Sequence, residues 1–308
     1  MPETMTHCEQ LAPIIEELSG YSGWFATLAK RPLHAHPLPS RRAVARITED
    51  LRSVLFPGYF GGFEDRSENL HFHVGATLDS AARSLEEQVR RAFRFGCTDP
   101  DAAADCGRRA PEITRRFLEA LPRLQRTLSE DVLAAYEGDP ACTTPDEAIL
   151  AYPGLYALTV HRIAHELFEL EVPLLPRIIS EIAHGATGID IHPGARIGSR
   201  FFIDHGSGVV IGATCIIGDR VRLYQGVTLG AKSFQLDEEG NPVKGVPRHP
   251  IIEDDVVIYA GATILGRITI GRESVIGGNV WLTRSVPPGS RVTQGSVHFD
   301  SFFAGAGI

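Results

Sequence analysis

No stretch of the 308-residue chain stays apolar for the roughly 18 residues that a membrane-spanning helix needs, which argues against a helical membrane protein. Basic charge is in short supply. Thirty Lys and Arg face 38 Asp and Glu, for a net charge of −8. That deficit argues against non-specific nucleic-acid binding as a main role. Cysteine is scarce, scattered and odd in number: Cys8, Cys97, Cys106, Cys142 and Cys215, with no CxxC pair. This is no disulfide framework and no zinc knuckle, and it reads as reduced thiols in a cytoplasmic protein. The opening MPETMTHCEQ lacks a basic stretch followed by an apolar one, so no signal peptide is expected. What remains is an ordinary globular composition, 43% hydrophobic and 22% charged, with length for about two domains.

The chain has two textures. Segments 12–30, 40–55, 68–95, 111–137, 145–170 and 173–184 carry helical spacing of Leu, Ile, Val and Phe. Start signals stand at Ser40, at Ser129 ahead of Glu130 and Asp131, and at Pro145 ahead of Asp146 and Glu147. From Gly188 onward the texture turns to Gly, Ile, Val and small residues. Aliphatics recur every six positions: Ile191, Ile197, Ile203; then Ile211, Ile217, Leu223, Leu229; then Ile252, Ile258, Ile264, Ile270, Ile276, Leu282. Two positions before them stand mostly small or branched residues such as Ala195, Val209, Cys215 and Val256. A period of six fits short strands separated by turns, each filling one side of a polygonal coil whose stacked turns share a core.

The rhythm fails twice. Two extra residues fall within Asp204-His205-Gly206-Ser207-Gly208, and an excursion, AKSFQLDEEGNPVKGVPRHP, separates Leu229 from Ile252. A solenoid core gains nothing from polar insertions, so breaks that carry histidines mark inserted function. His205 is suited to take a proton from a weakly acidic hydroxyl near neutral pH. Its neighbour Asp204 is a poor orienter, since adjacent side chains of an extended chain point to opposite sides. Asp190 lies fifteen residues upstream, one coil away near the same corner if three hexads make a coil. The same spacing fits a surface histidine in a Gly-rich turn. Arg248-His249, closing the excursion, can grip a carboxylate or form an exposed loop pair. His161 and His165 share a helix face but lack the second histidine of HExxH, and read as a polar face with no metal. No metal site is expected anywhere in the chain.

At these residues the sequence resembles the serine O-acetyltransferases of the hexapeptide-repeat transferase family. The motifs are DIHPGARIG (190–198), DHGSGVVIG (204–212), QGVTLGA (225–231), RHPIIED (248–254) and AGATILG, with weaker matches at Gly138-Asp139-Pro140-Ala141 and His161-Arg162-Ile163-Ala164-His165. They span residues 130–290. The resemblance implies an α+β multidomain chain: an all-α N-terminal domain (1–185), then a left-handed parallel β-helix (186–290) with an ejected loop at 231–250, then a tail (291–308). It implies a homotrimer, or a dimer of trimers, that moves acetyl from acetyl-CoA to the L-serine hydroxyl in a ternary complex. His205 would be the general base and Asp190 its orienting carboxylate. Asp139, Asp204, Arg248 and His249 would hold the serine. Acetyl-CoA would lie between two subunits near Gly230, Ala231, Ala260 and Gly278. L-cysteine would inhibit at the serine site, and the terminal Ile308 would dock into O-acetylserine sulfhydrylase. The excursion is longer than in compact family members, and the GVPAR-type ending after Pro287-Pro288 is missing. The alternatives are a hexapeptide-repeat acyltransferase with another acceptor, a γ-type carbonic anhydrase and a non-catalytic scaffold. For the second of these, His192, His205 and His249 lack the His-x4-His spacing.

Overall fold

A computed structural model describes residues 11–20, 37–60, 68–97, 107–233 and 235–295. Seven α-helices occupy the first part of these: α1 (11–20), α2 (Arg41–Leu55), α3 (Glu68–Gly96), α4 (Ala110–Gly138), α5 (Pro145–Ala151), α6 (Pro153–Glu169) and α7 (Leu175–Thr187). The Ser40 hydroxyl caps α2 by accepting from the Ala43 N–H at 3.3 Å. Thr144 does the same for α5, with Pro145 in the first turn. Ser129, read as a start signal, instead lies inside α4, and its hydroxyl donates back to the Gln125 carbonyl at 3.0 Å. The single helix expected over 145–170 is two, because Pro153 forces Tyr152 into an extended conformation (φ −81°, ψ 118°). The second half of the stretch expected at 12–30 lies outside the described residues.

After α7, Gly188 turns the chain in a left-handed conformation (φ 70°) and the coil begins. Among the described residues, fourteen short strands, all parallel, form three sheets, which are the three faces of a triangular prism. The first face stacks Asp190–Ile191, Val210–Ile211, Thr228–Gly230, Thr263–Leu265 and Trp281–Leu282. The second stacks Arg196–Ile197, Ile216–Ile217, Ile251–Ile252 and Thr269–Ile270. The third stacks Phe202–Ile203, Arg222–Leu223, Val257–Ile258, Val275–Ile276 and Arg291–Val292. Val210 pairs with Thr228 and Val257 with Val275, so an uninterrupted coil is three hexads, as expected. Eleven of the thirteen hexad aliphatics are buried, while Ile197 and Leu282 at the outer coils are partly buried. The fourteenth strand, Arg291–Val292, was not expected, since it falls outside the hexad rhythm and inside the stretch read as a tail.

The helices hold their own core around Phe117, Leu128, Ile163 and Leu175. They meet the coil through α4 and α6, and α6 starts against the third face. A side chain on Gly154 would place its Cβ 2.3 Å from the Ile203 carbonyl oxygen. The joint is locked by charge as well. Arg162 and Asp131, 8% and 0% exposed, form a two-bonded pair at 2.6 and 2.9 Å. Arg162 also donates to the carbonyls of Ile197 and Gly198, and Asp131 accepts from the Phe201 N–H. Among the described residues, no helix is long and apolar enough to cross a membrane.

Candidate active site

The first break lies on the edge between the third and first faces. Its extra residues push His205 outward, leaving its side chain 72% exposed. His205 holds a left-handed backbone (φ 55°), which is uncommon for a residue with a Cβ and concentrates at functional sites. That conformation undoes the alternation of an extended chain. His205 Nε2 sits 3.7 Å from Asp204 Oδ1, so the reading of these neighbours as pointing apart is corrected. The separation exceeds a hydrogen bond. Asp139, just past α4, closes the group. Its Oδ2 accepts from the Tyr152 hydroxyl at 2.5 Å and its Oδ1 from the Ala141 N–H at 2.8 Å. Those two bonds, with a smaller contribution from nearby His205, hold its carboxyl below the usual range. Burial and the Asp139 carboxylate push the Tyr152 hydroxyl upward. Tyr152 belongs to none of the motifs, and its one signal in the sequence is a tyrosine placed before the helix-breaking Pro153.

Asp190 opens the first face and pairs in register with Val210. Its carboxylate lies with the donor atoms of Glu181 and His184, all within 4.8 Å of one another, and forms no ion pair with His205 among the described residues. These three side chains are the one described group able to approach a cation together.

The second break leaves the first face after Gly230 and returns to the second face at Ile251. Its middle is an exposed hairpin, with the Val243 N–H bonded to the Gln235 carbonyl. Its end is fixed. His249 is only 6% exposed, and its Nδ1 receives both the N–H and the hydroxyl of Thr214. Burial, with Arg248, His192 and Arg267 close by, pushes its pKa down to about 4, so the ring is neutral near pH 7. Arg248 lines a 740 Å3 cavity together with Phe168, Glu169, His192, Lys244 and Arg267.

The two breaks therefore occupy different edges. Asp139, Asp204 and His205 gather on one edge, and Arg248 and His249 sit on the next, with the first face between them. The cofactor candidates divide the same way: Ala260 and Gly278 follow third-face strands, while Gly230 ends a first-face strand and Ala231 follows it. One chain does not bring all the candidates into one pocket. The reading of His161 and His165 as a polar helix face is also corrected. His161 is 2% exposed, its ring stacks on His165 at 5.7 Å, and burial holds its pKa well below the ordinary value. His165 Nδ1 donates to the Pro193 carbonyl at 2.7 Å. This pair seats the first coil on α6.

A parallel triangular coil built on hexads and interrupted twice defines a protein of the hexapeptide-repeat class. A family profile described as bacterial transferase hexapeptide (six repeats) matches residues 249–284. A plasmid-borne serine acetyltransferase of Synechococcus elongatus is 56% identical over 89% of this chain and 87% of its own length. The serine acetyltransferase of Bacillus subtilis is 48% identical over 54% of this chain and 73% of its own. Among solved structures, serine acetyltransferase 1 of Entamoeba histolytica in complex with L-cysteine superposes with a TM-score of 0.71 at 39% identity, covering 81% of this chain and 86% of that one. The Neisseria gonorrhoeae serine acetyltransferase in complex with serine gives 0.53 at 27%, covering 85% and 97%. The chain belongs to the serine acetyltransferase family, and its coil is a left-handed parallel β-helix.

Proposed function

We propose that this chain transfers acetyl from acetyl-CoA to the hydroxyl of L-serine, with His205 as general base. The observation that carries this reading is the inserted, left-handed, solvent-facing His205 beside Asp139 and Asp204. The serine oxygen attacks the thioester carbon as His205 takes its proton. The tetrahedral adduct then expels the thiolate of CoA, which receives that proton from the imidazolium. Asp139 and Asp204 hold the serine ammonium, and Arg248 with neutral His249 holds its carboxylate. A direct transfer is favoured over an acyl-enzyme. Cys215 is buried in the core and burial pushes its thiol up to about 12, which removes the reactive thiolate.

Because the two half-sites lie on different edges, we place each active site between two subunits of a homotrimer. Acetyl-CoA runs along the same seam past Gly230, Ala231, Ala260 and Gly278. Pairing of trimers through the helices, inhibition by L-cysteine at the serine site and a cytoplasmic location complete the reading. The division into 1–185, 186–290 and 291–308 belongs to it too. So does docking of Ile308 on the sulfhydrylase, although Ile308 lies outside the described residues. Asp190 remains our orienting carboxylate, since catalytic hydrogen bonds often tighten only with substrate bound. The role requires its side chain to turn from Glu181 and His184 toward His205.

The test is release of CoA from acetyl-CoA with L-serine. His205→Ala should lower kcat about 10²–10⁴-fold without unfolding the chain. Asp190→Asn should lower kcat, and Asp204→Asn should chiefly raise the KM for serine. Activity that survives His205→Ala would remove the base assignment, and activity only with another acceptor would remove serine.

A further inference from the structure

The return of the excursion to the coil is organised around one side chain that the motifs did not single out. Thr214 sits at the corner between the first and second faces. Its hydroxyl oxygen accepts from the N–H of Arg248 at 2.9 Å and from the N–H of His249 at 3.2 Å. Those two bonds use both of its lone pairs. Only its proton is left for the third contact, to His249 Nδ1 at 2.8 Å, so the hydroxyl is the donor there. The Thr214 N–H donates to the same Nδ1 at 3.1 Å. A ring nitrogen that receives two donors carries no proton of its own, so the neutral ring is protonated on Nε2.

The surroundings keep the ring in that pose. The Thr214 carbonyl accepts from Arg267, which also reaches the His249 carbonyl at 3.0 Å. The ring lies over Gly212, where a Cβ would stand 2.0 Å from its Cδ2 and 2.2 Å from its Nε2. A neutral ring keeps one N–H to offer and spares the site a second cation beside Arg248.

We propose that Thr214 is a positioning residue for the acceptor site: its hydroxyl ties the backbone N–H groups of Arg248 and His249 to the coil and, with the Thr214 N–H, holds the His249 ring by Nδ1, and thereby sets the donors presented to the acceptor carboxylate. This rests on the assignment of Arg248 and His249 to the serine carboxylate. Thr214→Val keeps shape and backbone N–H but removes the hydroxyl, whereas Thr214→Ser keeps the hydroxyl.

Two readouts on the full-length enzyme test it. In ¹⁵N–¹H spectra of histidine side chains, with the His249 signals identified by their loss in His249→Gln, wild type and Thr214→Ser should show one tautomer protonated on Nε2. Thr214→Val, whose N–H still meets Nδ1, should keep that tautomer with its Nδ1 signal displaced by the loss of one donor. In kinetics, Thr214→Val should raise the KM for serine about tenfold or more while the KM for acetyl-CoA holds, and Thr214→Ser should restore the wild-type value. An unmoved Nδ1 signal in Thr214→Val, or a Thr214→Ser enzyme as impaired as Thr214→Val, would overturn the proposal. An unchanged serine KM in His249→Gln would instead overturn the assignment of His249 to serine, while the spectra still decide what holds its ring.

Discussion

Asp131 and Arg162 are the residues on which the joint between helices and coil most depends. Burial pushes the Asp131 carboxyl upward, and the two-bonded Arg162 guanidinium opposes that. Removing one member leaves the other charge buried and uncompensated. Asp131→Ala should therefore destabilise the fold by about 3–5 kcal/mol in urea titrations, while an exposed change such as Glu112→Ala leaves it nearly unaltered. Histidines supply a second residue-scale expectation. His161, His192 and His249 are all held below the ordinary value of 6.5, with burial the largest cause in each. They stay neutral in the folded chain but protonate in the unfolded one. Their stabilisation is complete above pH 6.5 and is lost as pH falls from there toward their folded values. The Tm should drop between pH 7 and pH 5, and the drop should shrink in His161→Leu. A flat Tm over that range would contradict this account of the buried rings. None of this was readable beforehand. His161-Arg162 sits on a helix whose spacing allows a polar face, and only the docked coil shows that this face is covered.

At the scale of elements, the hexads were legible because every sixth residue faces one shared core, a rule local to the chain. The helices were legible in extent but not always in their ends. Pro153 split one, and Ser129 turned inward on its own helix where a start signal was read. The placement of the two breaks was also within reach of counting. The first follows the third hexad and the second follows the seventh. With three hexads per coil those positions fall on different edges, and adjacency in a motif list hid that. The contact of α6 with the third face, by contrast, joins positions about fifty apart and left no periodic trace. Gly154 gives it a test. A methyl there would meet the Ile203 carbonyl, one residue before Asp204-His205. Gly154→Ala should cost about 1–3 kcal/mol and should lower kcat, because relief of the clash moves the break that carries His205, the base we propose. A variant equally unstable but fully active per folded molecule would show that the helix merely props the coil.

For the whole molecule, the site we propose needs two copies of the chain, since His205 and the Arg248–His249 pair lie on different edges of one prism. Unfolded chains of His205→Ala and Arg248→Ala, each inactive alone, can be mixed in equal amounts and refolded together. In random trimers about a quarter of the seams join an intact His205 edge to an intact Arg248 edge, so activity should return to about a quarter of wild type. If each chain held a complete site of its own, every site in the mixture would carry one of the two defects, and the refolded mixture would stay inactive.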